Sequence, residues 1–352
     1  MEKISISAAI EPLITKTKYT FRKKYEKVKP QQKKTIVSTL AGDGTAGFLD
    51  GPALTAKFKS PIDVAVLPDG TMYVADAFNS SIRKIEKGLV TTFAGNGNAN
   101  ITNGNCTTAR FKIPSRLALD VEGNLYILDA ADPRVRKITP VADVSTLAGA
   151  NKFGYGDGEA GIAQFGQSFG IVTDVQGNIY VADSQNDRIR KISAAGFVTT
   201  IAGNGVQGFV NGNGDTAQFH FVTGITIDKE GNLFVSDFTR IRKITPAGFV
   251  STFAGSYIRG YANGKRAIAQ FSQLEDIAID EQGNIYATDK DRIRKITPQG
   301  IVSTIAGSIA GYEDGDGASA KFDGPQGLGI DKEGNIYVAD FNNRRIRKIS
   351  FE

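Results

Sequence analysis

Hydrophobic and polar positions follow one order six times along this chain of 352 residues. A short aliphatic and aromatic segment follows a Gly-Asn or Gly-Thr pair and ends on an Asp, as in GNIYVAD ending at Asp183. A second segment, RIRKI from Arg188, comes next, and then FVTTIAG ending at Gly203. These segments are rich in Val, Ile, Thr and Tyr and are bounded by Gly, Asn and Asp. The pattern predicts short β-strands joined by tight turns.

The repeated segments are evenly spaced. The first kind ends on Asp76, Asp129, Asp183, Asp237, Asp289 and Asp340. The V-(S/T)-T-x-A-G segments end, 52 to 54 residues apart, on Gly42, Gly95, Gly149, Gly203, Gly255 and Gly307. Each period also contains a fourth apolar segment, such as ITID, and therefore offers four strands. The sequence thus predicts an all-β, six-bladed β-propeller of four-stranded antiparallel blades.

The positions of the first and last segments predict how the ring closes. A V-S-T segment at residues 37–42 precedes any complete repeat, whereas the last repeat stops at ISFE, directly after its R-K-I segment. We expect the N-terminal segment to supply the outer strand of the last blade, which leaves no unpaired strand there. Deletion of residues 35–42 should then destabilise the domain. The predicted division is an arm at residues 1–34 and a propeller at residues 35–352.

The ordered motifs also resemble a known family. The units GNIYVADxxNxRIRKI, V-S-T-x-A-G and D/N-G-x-x-x-A-x-F closely resemble those of bacterial NHL-repeat proteins over residues 35–352. The resemblance implies a six-bladed propeller. It implies little about function, because propellers carry many unrelated activities.

The net charge of +5 is unevenly distributed along the chain. Residues 1–34 contain ten Lys and Arg against three Glu, a net +7, which leaves a net −2 for the propeller. No window approaches the roughly 18 uninterrupted apolar residues of a membrane span, and residues 1–18 lack a signal-peptide pattern. We expect a soluble protein, either cytoplasmic or exported without a signal as part of an assembly. The single Cys106 cannot form an internal disulfide and leaves the compartment open.

Residues present in every blade are expected to serve the scaffold. The Asp that ends each first segment should cap a turn or pair with a nearby Arg. The repeated arginines, such as Arg83, also suggest RNA binding, which some tripartite-motif NHL propellers perform, but the propeller's net −2 opposes it. The D/N-G connections lack the distal Glu of a calcium loop and are interpreted as turns.

Positions at which one blade departs from the others are better candidates for a site. At the start of the fourth apolar segment, three blades carry charged residues: Asp63, Arg116, and the pair Glu275 and Asp276. These side chains should lie near one mouth of the central channel, where they either surround a polar ligand or pair as rim charges. The only histidine, His220, should lie near the same mouth as a partly buried polar residue.

The architecture also resembles that of propeller enzymes. Lactonase-type propellers hold a calcium ion in the channel, and amidating lyases hold zinc through histidines. One His and one Cys supply neither a zinc site nor a catalytic triad, and no full calcium ligand set stands out. The sequence therefore predicts no catalytic residue, cofactor or metal. A channel-mouth small-ligand binder or lactonase-like hydrolase is the alternative.

The arm contains a basic and aromatic segment, TKTKYTFRKKYEKVK, at residues 15–29. Such a segment can add a strand to a partner's sheet or bind an acidic surface. The candidate contact residues are Tyr19, Phe21, Arg22, Lys23, Lys24 and Tyr25. We therefore predict a non-enzymatic scaffold that mediates protein–protein interaction and docks to a larger assembly through residues 1–34. A solvated linker is the alternative for the arm.

Overall fold

The computed structural model of the chain describes residues 33–352, and the arm residues Tyr19 to Tyr25 lie outside this range. The unit Thr35–Glu352 consists of six separate β-sheets arranged as the blades of a propeller. The chain enters it through strand β1 (Thr35–Ala41). Two single-turn 3-10 helices, Ala77–Asn79 and Ser184–Asn186, accompany the strands. No helix among the described residues has the length and apolar character needed to cross a membrane.

The strands of blades 1 to 3 follow one another in chain order. Blade 1 contains β2 (Gly51–Pro52), β3 (Pro61–Val66), β4 (Met72–Asp76), β5 (Ser81–Glu86) and β6 (Leu89–Ala94). Blade 2 contains β7 (Gly104–Asn105), β8 (Pro114–Leu119), β9 (Leu125–Asp129), β10 (Asp132–Ile138) and β11 (Asp143–Ala148). Blade 3 contains β12 (Gly158–Glu159), β13 (Gly170–Thr173), β14 (Ile179–Asp183), β15 (Arg188–Ile192) and β16 (Phe197–Ala202).

Blades 4 to 6 repeat this order. Blade 4 contains β17 (Gly212–Asn213), β18 (Val222–Ile227), β19 (Leu233–Asp237), β20 (Arg240–Ile244) and β21 (Phe249–Gly255). Blade 5 contains β22 (Gly264–Lys265), β23 (Leu274–Ile279), β24 (Ile285–Asp289), β25 (Arg292–Ile296) and β26 (Ile301–Ala306). Blade 6 contains β27 (Gly315–Asp316), β28 (Pro325–Ile330), β29 (Ile336–Asp340), β30 (Arg345–Phe351) and β1.

Each blade has five antiparallel strands, one more than predicted. In blade 1 the order from the rim to the channel is β2, β6, β5, β4 and β3. The additional strand β2 has only two residues, and Gly51 pairs with Val90. Asp50 holds it in place, because its carboxylate accepts hydrogen bonds from Arg83 and from the Thr92 amide. A two-residue strand has no hydrophobic period, so the sequence pattern predicts only the four long strands.

The predicted closure of the ring is confirmed. Strand β1 pairs antiparallel with β30, from Thr35 opposite Phe351 to Thr39 opposite Arg347. Val37 of β1 is 1% exposed and belongs to the same apolar cluster as Ile349. The first strand of the propeller therefore completes the last blade and covers its outer edge.

Apolar side chains fill the spaces between neighbouring blades. Phe58, which is fully buried, lies in a cluster with Val64 and Val74 of blade 1 and Tyr337 and Ile346 of blade 6. The corresponding phenylalanines of the other blades are also at most 1% exposed: Phe111, Phe165, Phe219, Phe271 and Phe322. The core is thus a ring of six interblade layers around the channel.

The predicted scaffold role of the repeated Asp is confirmed in five blades, where it pairs with a buried Arg, whereas Arg136 of blade 2 binds backbone carbonyls and Asn103 instead. In blade 1 the Arg83 Nη1 donates to Asp76 at 3.0 Å and to the Lys57 carbonyl at 3.0 Å. Asp76 also accepts the amides of Lys59 and Ser60, which bind the start of the inner strand to the second strand. Arg83 and its five equivalents are 0% exposed and cannot reach a phosphate backbone. Their burial opposes the RNA-binding alternative.

Candidate functional site

The inner strands of all six blades line a cavity of about 370 Å³ on the propeller axis. We call the side on which the inner strands β3, β8, β13, β18, β23 and β28 begin the upper face. At the upper end of the cavity, three blades contribute a charged residue and three contribute a glycine, namely Asp63, Arg116, Asp276, Gly170, Gly224 and Gly327. The structure therefore brings Asp63, Arg116 and Asp276 together around one cavity, although they are far apart in sequence.

The two aspartates connect neighbouring inner strands. The Asp63 carboxylate accepts the Val64 amide at 2.8 Å and, from blade 2, the Leu117 amide at 2.8 Å. Asp276 of blade 5 accepts the Leu328 amide of blade 6 at 3.1 Å. Both side chains are buried, with 4% and 8% residue exposure. Each carboxylate keeps further lone pairs, since an ionised carboxylate has about four acceptor positions.

The glycines at the mouth leave space for these carboxylates. A Cβ atom on Gly327 would lie 2.0 Å from Asp63 Oδ1, and one on Gly224 would lie 2.6 Å from both Asp276 Cα and Oδ1. Any side chain at these two positions would collide with the neighbouring blade's acid. Glycine at these two positions is thus a steric requirement of the mouth.

Arg116 lies in the same ring and is 3% exposed. Its Nε donates to the Phe169 carbonyl at 2.9 Å, and its Nη1 donates to the Ser115 carbonyl at 3.0 Å. Among the described residues, no group accepts a hydrogen bond from Nη2, and the side chain lines the cavity. The mouth therefore contains a buried guanidinium with donors left over for a ligand.

Burial is the main cause of the raised pKa values of the acids at the mouth. It raises the pKa of Asp276 to about 7, helped by the nearby Asp63 charge and opposed by Arg116. Burial likewise raises the pKa of Asp63, against the Arg116 charge and two backbone amides. The pKa of Glu275 is also raised by burial. When both aspartates are ionised they repel each other, and the single positive charge of Arg116 does not neutralise both.

Glu275 and His220 lie outside the lining of this cavity. Glu275 is half-buried and accepts a hydrogen bond from Gln273 at the rim. His220 is half-buried, and its ring lies between Phe209 at 5.3 Å and Phe238 at 4.9 Å. Its backbone amide donates to Asp237. Of the five predicted site residues, three therefore meet around the cavity, and His220 belongs to a second feature.

That second feature is an aromatic and cationic surface on the upper face around blade 4. We call it the blade 4 patch and define it by Phe209, His220, Phe221, Phe238, Arg240, Tyr257 and Arg259. The Arg240 guanidinium lies 4.0 Å from the Phe209 ring centroid, and that of Arg259 lies 4.5 Å from the Phe238 centroid. Tyr257 is 74% exposed and Phe221 is 47% exposed.

Two residues of the patch adopt a conformation that side chains disfavour. Phe221 has φ 60° and Phe238 has φ 62°. In blade 6 the position of Phe221 is occupied by Gly324, with φ 59°. In blade 5 the position of Phe238 is occupied by Lys290, with φ 56°. Sequence reasoning missed the patch, although a Phe where other blades hold Gly or polar turn residues is a readable signal.

Metal ligation finds no support in these side chains. Among residues 33–352, no group of three or more His, Cys, Asp and Glu side chains is arranged to hold a metal ion. Cys106 is buried, and burial raises its thiol pKa to about 11.

Comparison with known sequences agrees with the repeat structure. A family model described as the NHL repeat matches residues 322–349, which contain β29 and most of β30. Teneurin-1 of Gallus gallus is 28% identical over 377 residues, covering 91% of this chain but 14% of the teneurin. The Arabidopsis thaliana protein SUPPRESSOR OF QUENCHING 1, chloroplastic, is 32% identical over 57% of this chain and 21% of its own length. The chain thus spans a small part of these relatives.

Solved structures of similar fold include binding proteins and enzymes. A Bacteroides thetaiotaomicron protein of unknown function has a TM-score of 0.71 and 23% identity, covering 90% of this chain and 76% of its own. An auxiliary nutrient binding protein from the same organism has a TM-score of 0.69 and 18% identity, with 91% and 77% covered. A gluconolactonase from Xanthomonas campestris has a TM-score of 0.60 and 9% identity, with 90% and 89% covered. At these identities the likeness shows the fold alone. The repeats and the sheet topology identify the chain as a six-bladed β-propeller, and its sixth blade matches the NHL-repeat model.

Proposed function

We propose that this propeller is a non-enzymatic binding module that recognises another protein through the blade 4 patch. The exposure of Tyr257, Phe221 and Ile258 beside Arg240 and Arg259 is the observation that carries the proposal. Aromatic residues and Arg are enriched at the energetic centres of protein interfaces. The patch gathers both kinds on one surface.

The packing within the patch favours binding at low entropic cost. Arg240 lies 4.0 Å from Phe209 and 6.0 Å from Tyr257, so cation–π contacts hold the guanidinium between two rings. Side chains that are ordered before binding lose little conformational entropy on binding. The positive φ of Phe221 costs about 1–2 kcal/mol of conformational free energy. Such strained residues are common at functional surfaces, which supports a binding role for this ring.

The charge of the patch indicates the chemistry of the partner. Arg240 and Arg259 point to a surface that presents carboxylates or carbonyl oxygens beside apolar side chains. The teneurin matches support a role as one module of a longer protein, since the chain corresponds to 14% of that relative.

The arm supplies the second part of the proposal. Residues 1–34 carry a net +7, and their aromatic and basic segment includes Tyr19, Phe21 and Arg22. We expect this segment to dock the propeller onto an acidic surface of a larger assembly. The support is the charge and composition of the sequence, and a solvated linker is the competing interpretation.

Affinity capture tests both parts. The wild-type protein is compared with a Tyr257→Ala/Arg259→Ala double variant and with Phe78→Ala, which removes a 53% exposed ring from blade 1. We expect the double variant to lose, by at least about tenfold, a partner that Phe78→Ala retains, since interface centres cost 2 kcal/mol or more when truncated. Equal recovery of the partner by all three proteins would contradict the proposal that the blade 4 patch binds it. Equal recovery with and without residues 1–34 would reject the docking role of the arm.

The non-enzymatic part of the proposal is tested separately. Some proteins of similar fold are described as a streptogramin B lyase and a gluconolactonase, at 13% and 9% identity. We expect no lactone hydrolysis or lyase turnover by the purified chain with or without added divalent cations. Turnover that disappears in Asp63→Asn or Asp276→Asn would establish the hydrolase alternative instead.

A further inference from the structure

The mouth of the channel contains buried charged side chains of both signs, and these side chains keep donors and acceptors that form no hydrogen bond within the described part of the chain. Arg116 is 3% exposed, and among the described residues no acceptor contacts its Nη2. Nη2 is not one of the buried atoms that lack a partner, so it is accessible from the cavity and can donate to a ligand there. Because Nε and Nη1 are held by two carbonyls, the guanidinium is fixed with its free edge available to an acceptor in the cavity.

The two aspartates converge on the same short segment of blade 6. Asp63 Oδ1 lies 2.0 Å from the point that a Cβ of Gly327 would occupy. The Asp276 carboxylate accepts the amide of the next residue, Leu328. Arg116 precedes Leu117, whose amide donates to Asp63. Two carboxylates and one guanidinium thus line the upper end of a single cavity. When both aspartates are ionised, their charge exceeds that of Arg116 by one, and an ammonium group would compensate the difference.

The wall below the mouth is aliphatic. The cavity is lined by inner-strand side chains that include Val64, Leu117, Ile171, Ile225, Ile277 and Leu328. Its volume of about 370 Å³ lies in the range of pockets for small molecules. A ligand with polar ends at the mouth can therefore place an apolar group in the channel.

We propose that the channel mouth binds a small zwitterion, an α-amino acid with an aliphatic side chain. Asp63 and Asp276 accept hydrogen bonds from its ammonium group, Arg116 Nη2 donates to its carboxylate, and its side chain enters the channel. A simple anion would face two carboxylates, and a simple cation would leave Arg116 without an acceptor. The site is separate from the blade 4 patch and does not depend on the proposed protein partner.

Isothermal titration of the full chain with three probes tests the proposal. L-leucine carries both charged groups, isopentylamine lacks the carboxylate, and 4-methylpentanoic acid lacks the ammonium group. We expect leucine to bind at least tenfold more tightly than either analogue, because each analogue leaves one buried charge unpaired. No detectable leucine binding at millimolar concentration, or equal binding of leucine and isopentylamine, overturns the proposal. These measurements need only the wild-type protein.

Two variants assign the residues. Arg116→Gln is expected to lose at least tenfold in leucine affinity while isopentylamine binding stays within about twofold. Arg240→Gln, an equivalent change in the blade 4 patch, should leave leucine binding unaltered. The melting temperature of each variant is measured alongside. If Arg116→Gln fails to fold, Asp276→Asn is used, with at least a tenfold loss for both leucine and isopentylamine expected. Unchanged affinity in a folded variant contradicts the assignment.

Discussion

At the scale of single residues, each blade is organised around a fully buried Arg. In blade 3 the Arg190 Nη1 donates to Asp183 at 2.9 Å and Nη2 donates to Asp157 at 2.6 Å. The carbonyls of Gln164 and Gly156 accept the remaining Nη hydrogen bonds. One side chain thus connects the second strand, the third strand and the connection that reaches the blade from its neighbour. The repetition of this Arg in the sequence reflects a structural requirement of every blade.

Replacing that Arg should destabilise the fold strongly. We expect Arg190→Met to lower the free energy of unfolding by about 3–5 kcal/mol, because Asp183 would stay buried without its partner. Lys191→Met on the same strand should cost about 1 kcal/mol or less, since Lys191 only lies over the Tyr180 ring. Urea unfolding measures both values. Similar losses in the two variants would contradict the central role of the buried pair.

Asp276 should make stability depend on pH. Its pKa is raised from 3.8 to about 7 in the folded state, so the folded protein binds more protons than the unfolded chain between those values. Stability is therefore lost as pH rises through about 7. We expect the wild-type protein to lose more free energy of unfolding between pH 5 and pH 8 than Asp276→Asn does. Asp237 and Asp340, whose pKa values are raised to about 6, titrate in both proteins.

An exposed acid provides the control for this experiment. Asp215 lies at the surface of the connection into blade 4. Asp215→Asn should show the wild-type dependence on pH. The role assigned to Asp276 would be wrong if Asp276→Asn kept the full wild-type decline.

At the scale of elements, two strand positions decide the shape of the ring. The inner strands meet at the channel, where Asp63 and Asp276 link neighbouring blades through backbone amides. Strand β1 closes blade 6, because it pairs with β30 on one side and with the short rim strand β27 on the other. An inner strand thus contacts the next blade, whereas the closing strand holds the first and last parts of the propeller together.

Removal of the closing strand should therefore lower stability sharply. Deleting residues 35–42 exposes the edge of β30 and removes Val37 and Ala41, which are at most 1% exposed. We expect a loss of several kcal/mol, in the range of two large core truncations, seen as a fall in melting temperature or as aggregation. Deletion of residues 1–32 serves as the control. An unchanged melting temperature after deletion of 35–42 would disprove closure by β1.

At the scale of the whole molecule, the ring is sealed by hydrogen bonds rather than by a covalent connection in blade 6. Phe351 of β30 lies opposite Thr35 of β1, as Ile192 lies opposite Val198 in blade 3 near the turn that joins β15 to β16. The gap between the end of β30 and the start of β1 thus lies where the other blades have a hairpin turn. Any other hairpin of this kind is an equivalent place for the chain ends.

A circular permutant tests this equivalence. Residues 352 and 35 are joined by a turn of about two residues, and new ends are made between the exposed Ala194 and Ala195. We expect the permutant to fold with the circular dichroism spectrum of residues 33–352 and a melting temperature within a few degrees of it. As a control, new ends placed inside β14, between the buried Val181 and Ala182, should prevent folding. Failure of the first permutant alone would show that the blades are not equivalent.

Local repetition in the sequence determined the six blades, the long strands, the closing segment and the scaffold role of residues such as Asp183 and Arg190. Strand alternation and turn residues act between neighbours in the chain, so their pattern is readable without a structure.

Only the tertiary structure decided which side chains meet across the ring. Asp63, Arg116 and Asp276 come from three blades. They share one cavity because the inner strands of all six blades pack around it and because Gly327 leaves space for the Asp63 carboxylate. The two-residue outer strands and the blade 4 patch also arise from contacts between distant connections. The physical reason is that sequence periodicity specifies each blade, whereas the lateral packing of blades selects the neighbours of every side chain at the channel and on the faces.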